Sequence, residues 1–406
     1  MKTNNKIIYK NSIPKKYLRI KSNKTINKRC FTILKSITEN LDTTEDALHT
    51  LSSKFKFNFK ITEIERFKKF NTIVVIGMGG SILGIKAIYF FLKKKIKKHF
   101  IFFDNIDETK LYDLKKNRKF NTVLFIVISK SGKTIETLSN ISALKVVKKE
   151  SKNIIIISEK NDNPLYLLSE KMKIFYIEHK KFIGGRYSVL SEIGMFPAYL
   201  MGIKISKLRK NILNPLKHKN KKFLSESAIN LSSLLNIKKI KNVIFFNYVP
   251  QLNKFHIWCQ QLMAESLGKK SKGFLPMLSP APKDHHSLLQ LYLDGPKDKI
   301  FYIFSCTEDK NRNINSKIFG DKLSLINKKS LGQIKTAQKN AFLQILKKKE
   351  IPYREFKIPN FNEEVLGELF AYFILETAIV GKLSNINPFD QPAVELVKTN
   401  TKKNLS

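Results

Sequence analysis

From Asn71 onward the chain alternates short apolar runs with longer amphipathic stretches. Thr72 to Ile76, Phe100 to Phe103, Val123 to Ile128 and Ile154 to Ile157 are rich in β-branched and aromatic residues, and each runs directly into Gly, Asp or Ser. Runs this short read as buried strands, and the segments between them read as helices, so the pattern predicts a mostly parallel sheet covered on both faces. After a Lys- and Asn-rich stretch, Asn211 to Asn220, the pattern restarts. Asn242 to Phe246, Ile300 to Ser305 and Tyr353 to Ile358 are the expected strands of this second unit. Its expected helices cover Gln251 to Ser266, Leu331 to Lys348 and Glu363 to Val380. The predicted organisation is a polar, largely helical leader over 1–65, α/β units over 66–210 and 221–384, and a C-terminal helical segment over 385–406. Within the leader, Thr62 followed by Glu65 is the expected start of a helix. In sheets of this kind ligands gather beyond the carboxyl ends of the strands, which directs attention to the residues just after each run.

Composition narrows the class. With 406 residues, 42% hydrophobic and including 30 Phe, the chain has core material for two domains. The 75 Lys and Arg outnumber 33 Asp and Glu, for a formal charge of +42. Such a field attracts phosphorylated metabolites, but also nucleic acid or anionic lipid, so its sign alone selects no partner. Most of the excess is Lys in scattered runs, which read as solvated surface. Cys30, Cys259 and Cys306 are widely spaced with no CxxC, which supports neither a disulfide framework nor a cysteine zinc site. No apolar segment reaches membrane-spanning length and no signal peptide is evident, so a soluble cytoplasmic protein is expected.

Two loops carry candidate anion chemistry. Gly77-Met78-Gly79-Gly80-Ser81 follows a predicted strand and opens a predicted helix, where glycines let backbone N–H groups approach an anion or sugar. A dinucleotide fingerprint would need a third glycine where Ile82 stands. In Ser129-Lys130-Ser131-Gly132-Lys133-Thr134, three hydroxyls precede a helix whose first N–H groups favour negative charge. The bland alternative is that Ser131 or Ser129 only caps that helix. A P-loop is not matched, because Val127 stands where its first glycine belongs.

Acid, base and guanidinium candidates follow. Gly184-Gly185-Arg186-Tyr187-Ser188 places an arginine in a glycine turn, where its fork can face an oxyanion. On the next predicted helix, Phe255, Trp258, Leu262 and Glu265 share one stripe. That alignment implies a buried carboxylate whose basicity is raised by desolvation and by the negative helix end. Asp284-His285-His286-Ser287 offers adjacent imidazoles with no third ligand at metal spacing, which leaves His286 as acid/base or as a polar structural residue. Near the C-terminus Asp390 reads as a helix cap, with Gln391 and Lys398 on one helical face.

Six ordered motifs now stand together: Gly79-Gly80-Ser81; Ser129-Lys130-Ser131-Gly132-x-Thr134; Gly185-Arg186-Tyr187-Ser188; Glu265-Ser266-x-Gly268-Lys269; His286-Ser287-x-x-Gln290-Leu291; and Phe389-Asp390-Gln391-x-x-Val394-Glu395-x-x-Lys398. Spread over about 320 residues, they resemble the phosphoglucose isomerase family along almost the whole chain. The resemblance implies two sugar-isomerase-like α/β domains and a homodimer with shared active sites. It also implies reversible conversion of glucose 6-phosphate and fructose 6-phosphate through a cis-enediolate, in glycolysis and gluconeogenesis, with no cofactor, metal, nucleic acid or membrane partner. Carried over by motif, Glu265 is the base and Arg186 steadies the enediolate. Ser129, Lys130, Ser131 and Thr134 hold the phosphate, while Gly80, Ser81 and Gly185 line the sugar site. His286 with Lys398 opens the ring, and Gln261 and Gln391 position the sugar. A noncatalytic sugar-phosphate sensor and an isomerase that also accepts mannose 6-phosphate are the alternatives.

Overall fold

The computed structural model describes residues 6–18, 23–43, 45–307 and 313–405; residues 1–5, 19–22 and 44 of the leader lie outside the described residues. Among the described residues ten strands are formed in chain order: β1 (Ile8–Ser12), β2 (Thr72–Gly77), β3 (His99–Phe103), β4 (Val123–Ile128), β5 (Ile154–Ser158), β6 (Phe175–Glu178), β7 (Asn242–Asn247), β8 (Leu275–Pro280), β9 (Lys299–Cys306) and β10 (Tyr353–Ile358). They make two five-stranded sheets, ordered β3-β2-β4-β5-β6 and β1-β10-β9-β7-β8. Every neighbouring pair is parallel except β1 with β10. The central strands β4 and β5 are buried along their whole length, as expected where helices cover both faces.

The leader is not only helical. It holds the helix Asn23–Glu39, and it also supplies β1, which pairs antiparallel with the last strand of the second sheet. Its short helix begins at Ile61, with Lys60 as cap and the Glu63 carboxylate accepting from the Lys60 N–H at 3.2 Å. The Thr62 and Glu65 start expected from sequence is therefore displaced by two residues, to a pair with the same spacing.

One apolar core fills the space between the sheets. Ile73, Val75, Leu124 and Ile126 of the first sheet and Val243, Phe245, Tyr302 and Phe356 of the second belong to the same buried cluster. The helix Glu363–Leu383 runs through this cluster and is buried on nearly every face, the position open to a helix without a polar side. Its buried carboxylates have partners. Glu376 accepts from both terminal nitrogens of the buried Arg354, at 3.1 and 2.7 Å, and Tyr9 of β1 donates to Glu368 at 3.0 Å. Removing one member of a buried ion pair such as Arg354 and Glu376 costs about 3–5 kcal/mol, because the other charge is left stranded.

Candidate active site

The strand ends of the first sheet and one helix of the second unit converge on Arg186. Because β2 and β4 are neighbours, the loops that leave them emerge side by side. The loop after β2 turns through Gly79-Gly80-Ser81 and presses on the turn that carries Arg186. A Cβ on Gly80 would lie 2.1 Å from the carbonyl carbon of Gly185 and 2.4 Å from the Arg186 nitrogen, so only glycine allows this approach. Ser188 fastens the contact by donating to the Gly185 carbonyl at 2.6 Å. Ser81 is buried just beyond it.

Arg186 is itself buried, and each of its N–H groups has a partner. Nε donates to Ser266 Oγ at 2.8 Å, and Nη1 donates to Glu265 Oε2 at 3.1 Å and Gln391 Oε1 at 2.8 Å. Nη2 donates to the carbonyls of Pro388 and Asp390 at 2.7 and 2.9 Å. Tyr187 adds a hydroxyl that contacts Ser266 Oγ at 2.9 Å and donates to the Pro388 carbonyl at 3.0 Å. Burial pushes the Tyr187 phenol up to about 12, which keeps that donor protonated.

Glu265 ends the helix Asn253–Leu267. Phe255, Trp258 and Leu262 of its stripe are fully buried, but the Glu265 side chain keeps 31% of its surface exposed. The fully buried carboxylate expected from the stripe is thus not found, although Ser266 and Leu267 beside it in the same turn are buried. One carboxylate oxygen faces Arg186, and the other accepts from Gln261 Nε2 at 2.8 Å. Gln261 Oε1 is buried and accepts from no group among the described residues.

The loop after β4 is shaped for an anion. Ser129 Oγ and Thr134 Oγ1 lie 2.8 Å apart, and Ser131 Oγ accepts from the Lys133 N–H at 3.3 Å. Gly132 takes a left-handed conformation with φ of 64°, and a Cβ there would overlap Asn163 Oδ1. Thr134 is the N-cap of the helix Ile135–Leu144, yet its side chain makes no capping bond. Neither Ser129 nor Ser131 caps the helix, so the first helical N–H groups remain available to a ligand. Lys130 points away from the loop, its ammonium 3.5 Å from Glu159.

Two expected members stand apart. His286 is exposed beyond the end of β8, and none of Arg186, Glu265, Gln391 or Lys398 bonds to it. The turn before it is fixed by Asp284, which accepts from Ser279 and Ser287 at 2.7 and 3.0 Å. His285 bonds Tyr248 through Nε2 at 2.7 Å, and burial lowers its imidazole pKa. Lys398 lies on the exposed helix Val394–Leu405 and donates to Glu395 at 2.7 Å. Asp390 does not cap that helix, which starts at Val394. Its carboxylate accepts from Lys269 at 2.6 Å and Asn387 at 3.2 Å, and the Lys269 hydrogen bond holds its pKa below the usual carboxylate range.

The sequence reading assigned no role to Ser266, Tyr187, Lys269 or the carbonyls of Pro388 and Asp390, which hold Arg186 or the segment that binds it. Position was the available signal: Tyr187 and Ser266 directly follow Arg186 and Glu265. Among the described residues no three His, Cys, Asp or Glu side chains converge as metal ligands, and no helix is long and apolar enough to cross a membrane.

Comparison with known proteins identifies a family for the chain. The family described as phosphoglucose isomerase matches residues 17–405. A glucose-6-phosphate isomerase of Methanocaldococcus jannaschii is 33% identical over 350 residues, covering 82% of this chain and 84% of its own. A probable glucose-6-phosphate isomerase of Methanococcus maripaludis is 32% identical over 351 residues, covering 82% and 78%. Among solved structures, a hypothetical protein of Thermus thermophilus has a TM-score of 0.78 at 22% identity, over 98% of this chain and 100% of its own. A glucose-6-phosphate isomerase of Chlamydia trachomatis has a TM-score of 0.74 at 19% identity, over 98% and 88%. The two structures establish the shared fold, and the match over residues 17–405 takes in every residue around Arg186, so the chain belongs to the phosphoglucose isomerase family.

Proposed function

We propose that the chain interconverts glucose 6-phosphate and fructose 6-phosphate through a cis-enediolate, as a step of glycolysis and gluconeogenesis. The observation that carries this reading is the pairing of Glu265 with Arg186 at 3.1 Å, beside a hydroxyl-lined anion loop. A carboxylate and a guanidinium side by side are what proton transfer next to a carbonyl requires: one group takes the proton and the other meets the charge that develops.

In the open-chain aldose, the substrate phosphate sits on Ser129, Ser131, Thr134 and the backbone at Lys130, and the sugar lies along Gly80, Ser81 and Gly185. Glu265 takes the proton from C2. The electron pair of that C–H bond forms the C1–C2 double bond, and negative charge moves to O1, facing Arg186. Glu265 then returns its proton to C1 while a proton passes from O2 to O1, leaving the ketose. Gln261 and Gln391, already bonded to Glu265 and Arg186, hold both groups and the sugar in register.

Ring opening falls to His286 and Lys398. His286, exposed and unbonded to the Arg186 cluster, fits a homodimer in which a neighbouring chain supplies that imidazole to each site, while Lys398 is read as acting with Arg186 and Glu265 around the same substrate. In this reading 66–210 and 221–384 are the two sugar-isomerase-like units, 385–406 reaches toward the site, and the buried thiols Cys30 and Cys259 suit a cytoplasmic enzyme. Purified protein, treated with chelator and assayed with both sugar phosphates, should run the reaction in each direction. No turnover of either would overturn the assignment in favour of a sugar-phosphate sensor. Comparable turnover of mannose 6-phosphate would make it a dual-specificity isomerase.

A further inference from the structure

Three of the five hydrogen bonds of Arg186 go to one short segment, 388–391. A guanidinium carries its donors in a rigid plane, so these acceptors fix its orientation only as well as their own backbone is held. That backbone is neither strand nor helix; it links the helix Glu363–Leu383 to the exposed helix Val394–Leu405. Two bonds lie within it, from Asn387 Nδ2 to Asp390 Oδ2 at 3.2 Å and from the Phe389 N–H to Asn387 Oδ1 at 3.0 Å. They make a turn but anchor it to nothing.

Among the described residues, the hydrogen bonds that reach 387–391 from elsewhere come from Arg186, Tyr187 and Lys269. Lys269 Nζ donates to Asp390 Oδ1 at 2.6 Å and also to the Asn387 carbonyl, and only 13% of its side chain is exposed. It stands just past the end of the helix Asn253–Leu267, four residues after Glu265. The stretch 265–269 therefore meets Arg186 twice: directly through Glu265 and Ser266, and through Lys269 by way of 387–391. The bonds close a ring around the guanidinium. Neighbouring lysines do something simpler. Lys270 and Lys272 donate to the carbonyls of Asn385 and Ser384, at the C-terminal end of the helix Glu363–Leu383, where any cation is favoured. The acceptors of Lys269 lie beyond that end, on the segment that holds Arg186.

We infer that Lys269 is a positioning residue for the reaction: by holding Asn387 and Asp390 it keeps the guanidinium of Arg186 in the plane that meets the developing enediolate charge. The inference rests on the role proposed above for Arg186. Asp390 keeps 51% of its side chain exposed, and a pair open to water on one side adds little to stability, so losing it should be felt in geometry and not in folding.

The test compares substitutions in the full chain. Lys269→Met should lower kcat roughly 10–100-fold, the scale of a small misplacement of a reacting group, with KM and the urea midpoint little changed. Lys269→Arg should retain most of kcat, and Lys270→Met all of it. Asp390→Asn, at a half-exposed carboxylate, breaks the same link from its other side and should lower kcat in the same direction. In an Arg186→Lys background the further loss from Lys269→Met should shrink to less than about threefold, because the group it positions is gone. Losses that multiply unchanged in that background, or an equal loss in Lys270→Met, overturn the inference. A second arm needs no turnover. Arg186 is 2% exposed, and phenylglyoxal should label it faster in Lys269→Met than in the unsubstituted protein, measured against the exposed Arg118 by mass spectrometry. Equally slow labelling in both proteins shows that Lys269 does not hold Arg186 and overturns the inference. An unsubstituted chain that turns over no sugar phosphate would instead refute the isomerase reading, and with it the positioning role, while the labelling still reports whether the link exists.

Discussion

Arg186 uses its full set of donors on a hydroxyl, a carboxylate, an amide and two carbonyls, and this fixes what a substitution there does. Lysine would keep the charge but could not span partners spread over both edges of a planar fork. Arg186→Lys should therefore lower kcat by roughly 10²–10³-fold, the range seen when one transition-state donor is lost, with a smaller change in KM. Steady-state kinetics on a variant of unchanged circular dichroism checks it. A second residue makes a pH prediction. His256 is fully buried among Phe245, Phe255 and Phe304, neither ring nitrogen has a partner among the described residues, and burial lowers its pKa to about 3. The unfolded imidazole titrates near 6.5, so between about pH 6.5 and 3 the unfolded chain holds a proton that the folded chain lacks. Stability is unaffected above this window and falls as pH drops through it, by up to about 1.4 kcal/mol per pH unit. His256→Phe should remove that part of the slope in urea melts; an unchanged slope would contradict it. Glu265 and Arg186 could be found from sequence because residue type and motif coincide there. The 31% exposure of the Glu265 side chain could not, since a helical stripe gives the direction of a side chain and not what packs over it.

Among elements, the strands missed by the apolar pattern share a position. β1, β6 and β8 are all sheet edges, and none is a continuous apolar run: β1 reads Ile-Tyr-Lys-Asn-Ser, β6 ends in Glu178, and β8 contains Pro276 and Pro280. Edge strands carry charge and proline because one side of the backbone is unpaired, so the features that suit an edge hide it from a hydrophobic reading. The strands β2, β4, β5, β7 and β9 lacked this ambiguity, and the helix Leu331–Lys348 begins and ends as its pattern predicts, whereas the pattern does not predict the helix His218–Ile237, which starts inside the Lys- and Asn-rich stretch. The anion loop is the element where a small change separates binding from chemistry. Thr134→Ala removes a hydroxyl paired with Ser129 at the mouth of a helix, far in bonding terms from Glu265. It should raise KM by roughly tenfold to hundredfold, equivalent to about 1–3 kcal/mol for a desolvated donor, and leave kcat within a few-fold. A fall in kcat at constant KM would show that the loop does not serve as the phosphate anchor.

At the scale of the molecule, one chain assembles the proton-transfer half of the proposed site and leaves His286 and Lys398 in solvent. The C-terminal helix Val394–Leu405 has no buried residue, and Leu396 and Val397 are 72% and 69% exposed. Sequence pattern assigns residues to a family of sites but carries no signal for which chain each residue serves. If sites are shared in a symmetric dimer, His286→Ala and Glu265→Gln proteins should each be nearly inactive, yet regain activity when unfolded and refolded together. In a mixed dimer one site receives both defects and the other neither, so random pairing restores at most about one quarter of full activity. Mixed dimers seen by mass spectrometry without recovered activity would refute shared sites, given an unsubstituted control that refolds. The central claim, that Glu265 moves a proton between C2 and C1, is met most directly by hydrogen exchange. Chelator-treated protein is incubated with glucose 6-phosphate in deuterated water, and deuterium at C1 of the fructose 6-phosphate formed and at C2 of the recovered glucose 6-phosphate is followed by NMR. The expected result is incorporation by the unsubstituted protein and none above background by Glu265→Gln; incorporation at an equal rate in both proteins would contradict the claim.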